Sequence, residues 1–264
     1  NMGGLLQAYA LQKAIEKIGV QSEQISFNYL FYYHSENPKV SKSEKLKYRL
    51  KNRLKKHQFP KRMKSFQNFM DMIPHSEDCF EVKEISENYS KIIVGSDQVW
   101  GDWLPQKALI QFLLEDDQFD KKRYSYAASF GSTHLAEDQK ALYQKMLSDF
   151  ENISLREESI LQEVQQLIPN KNITVNCDPT ILLSLNEWEM VSKEIKKPEH
   201  YIFCYFLGKN RNYREASKII SDNLKLPIYT LPYIKENRNE HFEDDFGDFC
   251  DFESGPAEFI DLIK

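Results

Sequence analysis

Long apolar runs are missing from this 264-residue chain. Nothing in it approaches the ~20 consecutive apolar residues that cross a bilayer; the longest candidates lie around "YIFCYFLG" (201–208). Paired cysteines are missing as well. Cys79, Cys177, Cys204 and Cys250 stand far apart with no C-x-x-C spacing, which argues against a zinc site or a disulfide framework. A strong charge of either sign is also absent: the formal net charge of -5 gives no reason to expect nucleic acid as a partner. No G-x-G-x-x-G, Walker loop or G-x-S-x-G occurs, so dinucleotide, P-loop and serine-hydrolase readings have no support. With no signal peptide either, the expectation is a protein of the reducing cytoplasm.

What is present is the composition of an ordinary folded protein, 41% hydrophobic and 28% charged, with 13% aromatic residues. The length suits one large or two smaller domains. The chain opens on "NMGGLLQAYALQKAIEKIG", a capped helix with Leu5, Leu6, Tyr9, Ala10, Lys13 and Ile18 read along one face and Gly19 as its end. It closes on "SGPAEFIDLIK", with Ser254 as cap, Pro256 in the first turn and an apolar face of Phe259, Ile260, Leu262 and Ile263. Both ends are abrupt, so the expectation is a fragment. After a short strand, "QISFNY", comes a basic stretch at about 42–72, which carries eleven Lys and Arg and one acid, Glu44, between Lys42 and Phe66. Leu46, Leu50 and Leu54 recur every four residues, so its first half reads as an amphipathic helix broken before Pro60. Three leucines make a thin stripe. That favours a solvated excursion, with contact to anionic membrane or an acidic glycan as the alternative.

From there strands and helices alternate. "KIIVG", "RYSYAASFG", a helix over 135–150, "NISLRE", a helix over "ESILQEVQQLI" and "NITVNCDPT" make a parallel-sheet pattern. A second series begins with "YIFCYFLGKN", a helix over Tyr213–Leu224 and "LPIYTLPY". The expected organisation is a Rossmann-like α/β domain over 1–190 and the start of a second over 191–264, truncated in this chain. The acidic stretch "ENRNEHFEDDFGDFCDFESGP" has no period. His241, Glu243, Asp244, Asp245 and Asp248 lack calcium-loop or H-E-x-x-H spacing, so a solvated loop is expected there and no metal.

Chemistry concentrates where strands end, the edge at which open parallel sheets bind ligands. "KIIVGSDQVW" (91–100) runs from a strand too apolar to face water into Ser96, Asp97 and Gln98. Asp97 offers a base or hydroxyl acceptor, and Ser96 and Gln98 offer hydrogen bonds; a turn with Asp97 as cap is the alternative. "YAASFGS" ends in Ser129, Gly131 and Ser132, small residues that let a ligand approach backbone donors, or simply a turn. "ISLREE" places Arg156 after a strand, where its fork suits phosphate or carboxylate, or else pairs with Glu157 or Glu158. Asn1, Gly3 and Gly4 at the first helix's N-terminus add anion-friendly amides. The residues alone reach an α/β protein with an anion-friendly edge.

The blocks "NMGGLLQAYALQKAIEKIG", "IIVGSDQVW", "YAASFG", "ISLREE", "DPTILLSLNEW" and "GPAEFIDLI", in this order, resemble the polysaccharide pyruvyl transferase family nearly end to end. The resemblance implies two Rossmann-like domains of the GT-B type with the site between them. It implies transfer of pyruvate from phosphoenolpyruvate to a sugar of a cell-surface glycan or its precursor, as in exopolysaccharide biosynthesis, with a ketal as product and no cofactor. Asp97 matches the acid placed near the acceptor and Arg156 the arginine placed near the donor. Two departures stand out: the family's strand before the N-x-G-G block is absent, and its later "S-F-H-G"-like block, whose histidine is the expected acid, would lie beyond Lys264. On this reading the chain carries half a site and is inactive alone. A nucleotide-sugar glycosyltransferase and a non-catalytic binding protein on the same scaffold stay open, because a fold does not fix its donor.

Overall fold

The computed structural model describes residues 2–27, 59–79, 82–104, 109, 112–113, 122–208, 210–233 and 246–264. Asn1, the helix built on Leu46, Leu50 and Leu54, and His241, Glu243, Asp244 and Asp245 lie outside the described residues. The chain divides into two compact units. The first takes the opening helix from Gly3 onward and the described residues of Ile73–Leu183; the second takes the described residues of 56–72 and Ser184–Lys264.

In the first unit, α1 (Met2–Lys17) leads to β1 (Gln24–Phe27), which pairs in parallel with β2 (His75–Cys79). Leu6, Tyr9 and Ala10 are buried along α1, whereas Ile18, expected on the same apolar face, is 76% exposed just past the helix end. The sequence of β2, "HSEDC", has no apolar alternation and was not anticipated as a strand. Serine side chains supply part of its pairing instead: Ser76 Oγ accepts from Ser26 N at 3.0 Å, and Ser26 Oγ donates to Ser76 O at 3.1 Å. Helix α2 (Pro60–Met70) belongs to the other unit, and α3 (Val82–Asn88) leads into the main sheet.

That sheet is four-stranded and wholly parallel, in the order β3 (Lys91–Val94), β4 (Lys122–Ser125), β5 (Phe150–Leu155), β6 (Ile173–Val175). Helices α4 (Lys140–Leu147) and α5 (Leu161–Leu167) connect successive strands, each after a short 3-10 turn. The expectation that β3 is covered on both faces does not hold. Ile92 and Val94 are buried but Ile93 is 45% exposed, so the strand alternates and only one of its faces is covered. Trp100 is fully buried, edge-on to Phe150 at 5.7 Å and tilted against Phe130 at 5.4 Å, so the indole after the strand is core and not site. Tyr143 on α4 packs edge-on to Phe130 and hydrogen-bonds Trp100 O at 2.7 Å, and burial pushes its phenol far above the usual range.

In the second unit, α6 (Leu185–Glu189) precedes a parallel sheet of β7 (Ile202–Cys204), β8 (Ile228–Thr230) and β9 (Phe249–Cys250). Between β7 and β8 runs α7 (Arg211–Leu224), capped by Asn210 accepting from Asn212 N at 3.0 Å. Strand β9 lies inside the stretch expected to be a solvated loop. Asp248 explains its presence: its carboxylate accepts from Ile228 N at 2.8 Å, so an acid is spent on a backbone donor of the neighbouring strand. The unit closes with α8 (Pro256–Ile263), whose N-cap residue is Gly255 and not Ser254 as expected.

Helix α2 is pinned to this unit by polar contacts. Arg62 is 5% exposed and donates through Nη1 to Pro232 O at 2.6 Å and through Nη2 to Asp251 O at 2.5 Å. Burial pushes its guanidinium below the usual range. Ser65 donates to Glu258 on α8 at 2.5 Å, and Lys193 reaches the same carboxylate at 2.7 Å.

Candidate active site

The four strands of the main sheet end on one edge, and their registers continue past the strands themselves. Asp97 bridges Ala128 and Ala128 bridges Leu155, both in parallel, while Arg156 N donates to Ala128 O at 3.1 Å and Asn176 N to Leu155 O at 2.9 Å. The polar residues that follow β3, β4, β5 and β6 therefore stand side by side. A serine relay carries the edge where regular pairing lapses. Ser125 Oγ accepts from Ser154 N at 2.8 Å, and Ser154 Oγ accepts from Ala127 N at 2.9 Å and donates to Asn176 Oδ1 at 2.8 Å.

Local backbone geometry decides which residues fit here. Gly95 has φ +114°, and a Cβ on it would run into the carbonyl oxygen of Tyr126, so the β3–β4 approach requires glycine. Asp97 has φ +80° and accepts from Gln98 N at 2.9 Å, the local hydrogen bond that lets an aspartate hold a left-handed conformation. Ala127 is also left-handed, at φ 45°. Non-glycine residues held in such regions cost free energy and gather at functional sites.

Arg156 is the centre of the cluster. Its Nη1 lies 3.3 Å from Asp178 Oδ2 and 3.8 Å from Asp97 Oδ1, and its Nε lies 3.2 Å from Glu157 Oε1. The pairing with Glu157 foreseen as a structural alternative is present, and so is the convergence with Asp97 foreseen for a site. Three carboxylates around one guanidinium leave the group formally negative by two. Arg156 keeps 23% of its side chain exposed and Asp97 39%, and no partner reaches Arg156 Nη2 or Asp97 Oδ2 among the described residues. A donor and an acceptor thus stand open together, the complement of a hydroxyl or of one edge of an oxyacid.

The other expected residues divide by accessibility. Ser96 is 2% exposed; its hydroxyl donates to Ala127 O at 2.7 Å and its amide to Gln7 Oε1 at 3.0 Å. Ser129 is fully buried, with its hydroxyl donating to Glu157 Oε1 at 2.5 Å and accepting from Gly131 N at 2.9 Å. Both serines serve the architecture of the edge: Ser96 ties the end of β3 to Ala127, and Ser129 holds Glu157 through its hydroxyl and the Asp97 carbonyl through its amide at 3.0 Å. Gln98 and Gly131 are exposed and adjacent, since a Cβ on Gly131 would lie 2.9 Å from Gln98 Cδ. Gly3 and Gly4 sit in the first turn of α1, one turn before the Gln7 that holds Ser96. Sequence reasoning gave no role to Gln7 or Asp178. Asp178 stood in the quoted "DPT" block directly after a strand, the same signal that found Asp97, and the side-chain acceptor of Gln7 shows only once α1 is placed. Among the described residues no group of three His, Cys, Asp or Glu is arranged to hold a metal ion, and no helix is long and apolar enough to cross a membrane.

The arrangement defines an α/β protein with parallel sheets and an acid–arginine cluster at the carboxyl ends of its strands, the place where this class binds ligands. A family model described as polysaccharide pyruvyl transferase matches residues 1–264, the whole chain, and the chain belongs to that family of transferases. No curated protein and no solved structure shows a significant match.

Proposed function

We propose that the protein moves pyruvate from phosphoenolpyruvate onto a sugar of a cell-surface glycan or its precursor, closing a ketal, on an architecture of two Rossmann-like domains of the GT-B type. The reaction has two steps at one carbon. One sugar hydroxyl adds to C2 of the enol phosphate while a proton reaches C3 and turns the methylene into a methyl group. A second hydroxyl of the same sugar then displaces phosphate from C2, and its proton departs with the phosphate. Asp97 takes the hydroxyl proton as general base, and Arg156 contacts the anionic donor. The observation that carries this reading is the pair itself: Asp97 and Arg156 stand 3.8 Å apart at the strand ends of a chain that matches the family over its full length. Gln98, Gly131 and the first turn of α1 complete the substrate-binding surface.

Phosphate release on mixing the full-length protein with phosphoenolpyruvate and an acceptor glycan, together with an acid-labile pyruvyl ketal in the product, is the expected result. Phosphoenolpyruvate raises the melting temperature and a nucleotide sugar does not. The reverse pattern would make the protein a glycosyltransferase, and protection by neither would leave a binding role. Arg156→Lys keeps the charge but loses the planar fork. Weaker phosphoenolpyruvate binding by on the order of ten- to hundredfold at an unchanged melting temperature is expected, from loss of a charge-assisted hydrogen bond of about 1.5–3 kcal/mol. Unaltered affinity would remove Arg156 from the donor contact.

A further inference from the structure

We infer that Asp178 is the positioning residue that sets the Arg156 guanidinium, an inference that rests on the donor role proposed for Arg156. The two oxygens of Asp178 do different work. Oδ1 accepts from Thr180 N at 3.0 Å and caps the 3-10 turn Pro179–Leu182, which fixes the carboxylate on its own segment. Oδ2 faces the cluster, 3.3 Å from Arg156 Nη1 and 3.4 Å from Ser96 Oγ. Asp178 therefore joins the ends of β3, β5 and β6 through one carboxylate.

The effect on Arg156 follows from the geometry of a guanidinium. Its five N–H groups lie in one plane at fixed angles, so two anchored nitrogens determine where the third points. Glu157 Oε1 holds Nε at 3.2 Å, and that carboxylate is itself held by Ser129 Oγ at 2.5 Å. Asp178 Oδ2 holds Nη1, leaving Nη2 as the nitrogen without a partner among the described residues. Asp97 is the weaker neighbour of Nη1 at 3.8 Å, beyond hydrogen-bond range, which leaves it free to serve a substrate. With Asp178 removed, the guanidinium pivots about the single Nε contact and falls toward Asp97. That move spoils the donor contact and the base together, and a misplacement of about 1 Å in a reacting group costs on the order of a hundredfold in rate.

Asp178→Asn separates the two oxygens, because its amide oxygen still caps Thr180 while its NH2 replaces Oδ2 and confronts the Nη1 donor of Arg156. The experiment compares wild type, Asp178→Asn and Asp178→Glu in the full-length protein. The readouts are melting temperature, phosphoenolpyruvate affinity and turnover, and the side-chain 15N resonances of Arg156, assigned with Arg156→Lys. Expected for Asp178→Asn are a melting temperature near wild type, turnover down on the order of a hundredfold, phosphoenolpyruvate affinity reduced tenfold or more, and averaged Nη signals where wild type shows separate ones. Asp178→Glu, which keeps the charge, recovers part of the affinity. Unchanged Arg156 resonances in Asp178→Asn overturn the inference, as does a fall in melting temperature with the resonances intact, which would make Asp178 a cap and nothing more. A wild type that fails to bind phosphoenolpyruvate, with Arg156 resonances that still change in Asp178→Asn, sinks the donor assignment and leaves the positioning in place.

Discussion

Replacing Asp97 with asparagine should move two measurable quantities in opposite directions. The substitution keeps an oxygen for the amide of Gln98 and a side chain that tolerates the left-handed backbone at φ +80°, so the edge retains its shape. It removes a base. Loss of general-base assistance costs on the order of 10²–10⁴ in turnover. It also removes one of three negative charges around Arg156, whose Nη1 lies 3.8 Å from Asp97 Oδ1. An anion gripping the opposite edge of the guanidinium sits roughly 6 Å from the Asp97 carboxylate, where repulsion at an effective dielectric near 20 is about 3 kcal/mol. Asp97 is 39% exposed, so solvent screening brings that to about 1 kcal/mol, or roughly fivefold in affinity. Asp97→Asn is therefore expected to bind phosphoenolpyruvate about fivefold more tightly while turning over at least a hundredfold more slowly. Calorimetric titration beside a phosphate-release assay reads both. Affinity lost in proportion to turnover would refute the reasoning, because it would place Asp97 in the donor's binding geometry and not across from it.

Glu258→Gln tests how α2 is held: Glu258 accepts from Ser65, Lys193 and Gly255 N. Burial opposes its charge, but these contacts hold its carboxyl below the ordinary 4.5. Its contribution is thus complete above that value and is lost as pH falls through the lowered pKa. The variant should melt lower at pH 7 by several degrees, for about 1.5–3 kcal/mol, and the gap should close as pH falls through the lowered pKa of Glu258; a gap independent of pH would show that charge is not involved. Arg62→Lys should destabilise the second unit by about 1–3 kcal/mol in denaturant unfolding, since one ammonium cannot satisfy the carbonyls of both Pro232 and Asp251; an unchanged midpoint would count against the pin. Gly95→Ala should cost at least ~1–3 kcal/mol through φ +114° and the carbonyl of Tyr126, read as a lower melting temperature with Asp97 displaced; wild-type stability would refute the close approach.

The parallel sheets were legible because their strands are written in apolar residues of short period, such as "KIIV" and "ISL", with helices between them. Of the elements that escaped, β2 is written in polar letters, "HSEDC", and β9 is only the two residues "FC" in an acidic stretch beside Asp248. In both, side chains of serine or aspartate satisfy backbone donors, and a hydrophobic period cannot report that. Helix α2 escaped differently. Its sequence is dominated by the charge of the basic stretch, and only two internal residues, Arg62 and Phe69, are buried. A buried arginine reads from sequence as solvated, because its cost is offset by carbonyls that come from 170 and 189 residues away.

The site follows the same division. Asp97 and Arg156 could be found because each is a charged residue directly after an apolar strand, and parallel strands bring such positions together at one edge. What the pattern leaves out is the state of each group once it arrives there. Ser96 and Ser129 look as available as Asp97 in the sequence, yet burial to 2% and 0% and short hydrogen bonds commit their hydroxyls to the fold. Arg156 reads in the sequence as an anion contact or as one partner of Glu157 or Glu158, yet three carboxylates surround it. An arginine so outnumbered cannot attract a trianionic donor by charge alone, because the cluster's own field repels it. Its value to a donor lies in direction, in one fixed nitrogen held at a known place. Most of the attraction for phosphate and carboxylate must then come from other cationic groups, and so donor affinity should fall with ionic strength more steeply than one arginine accounts for.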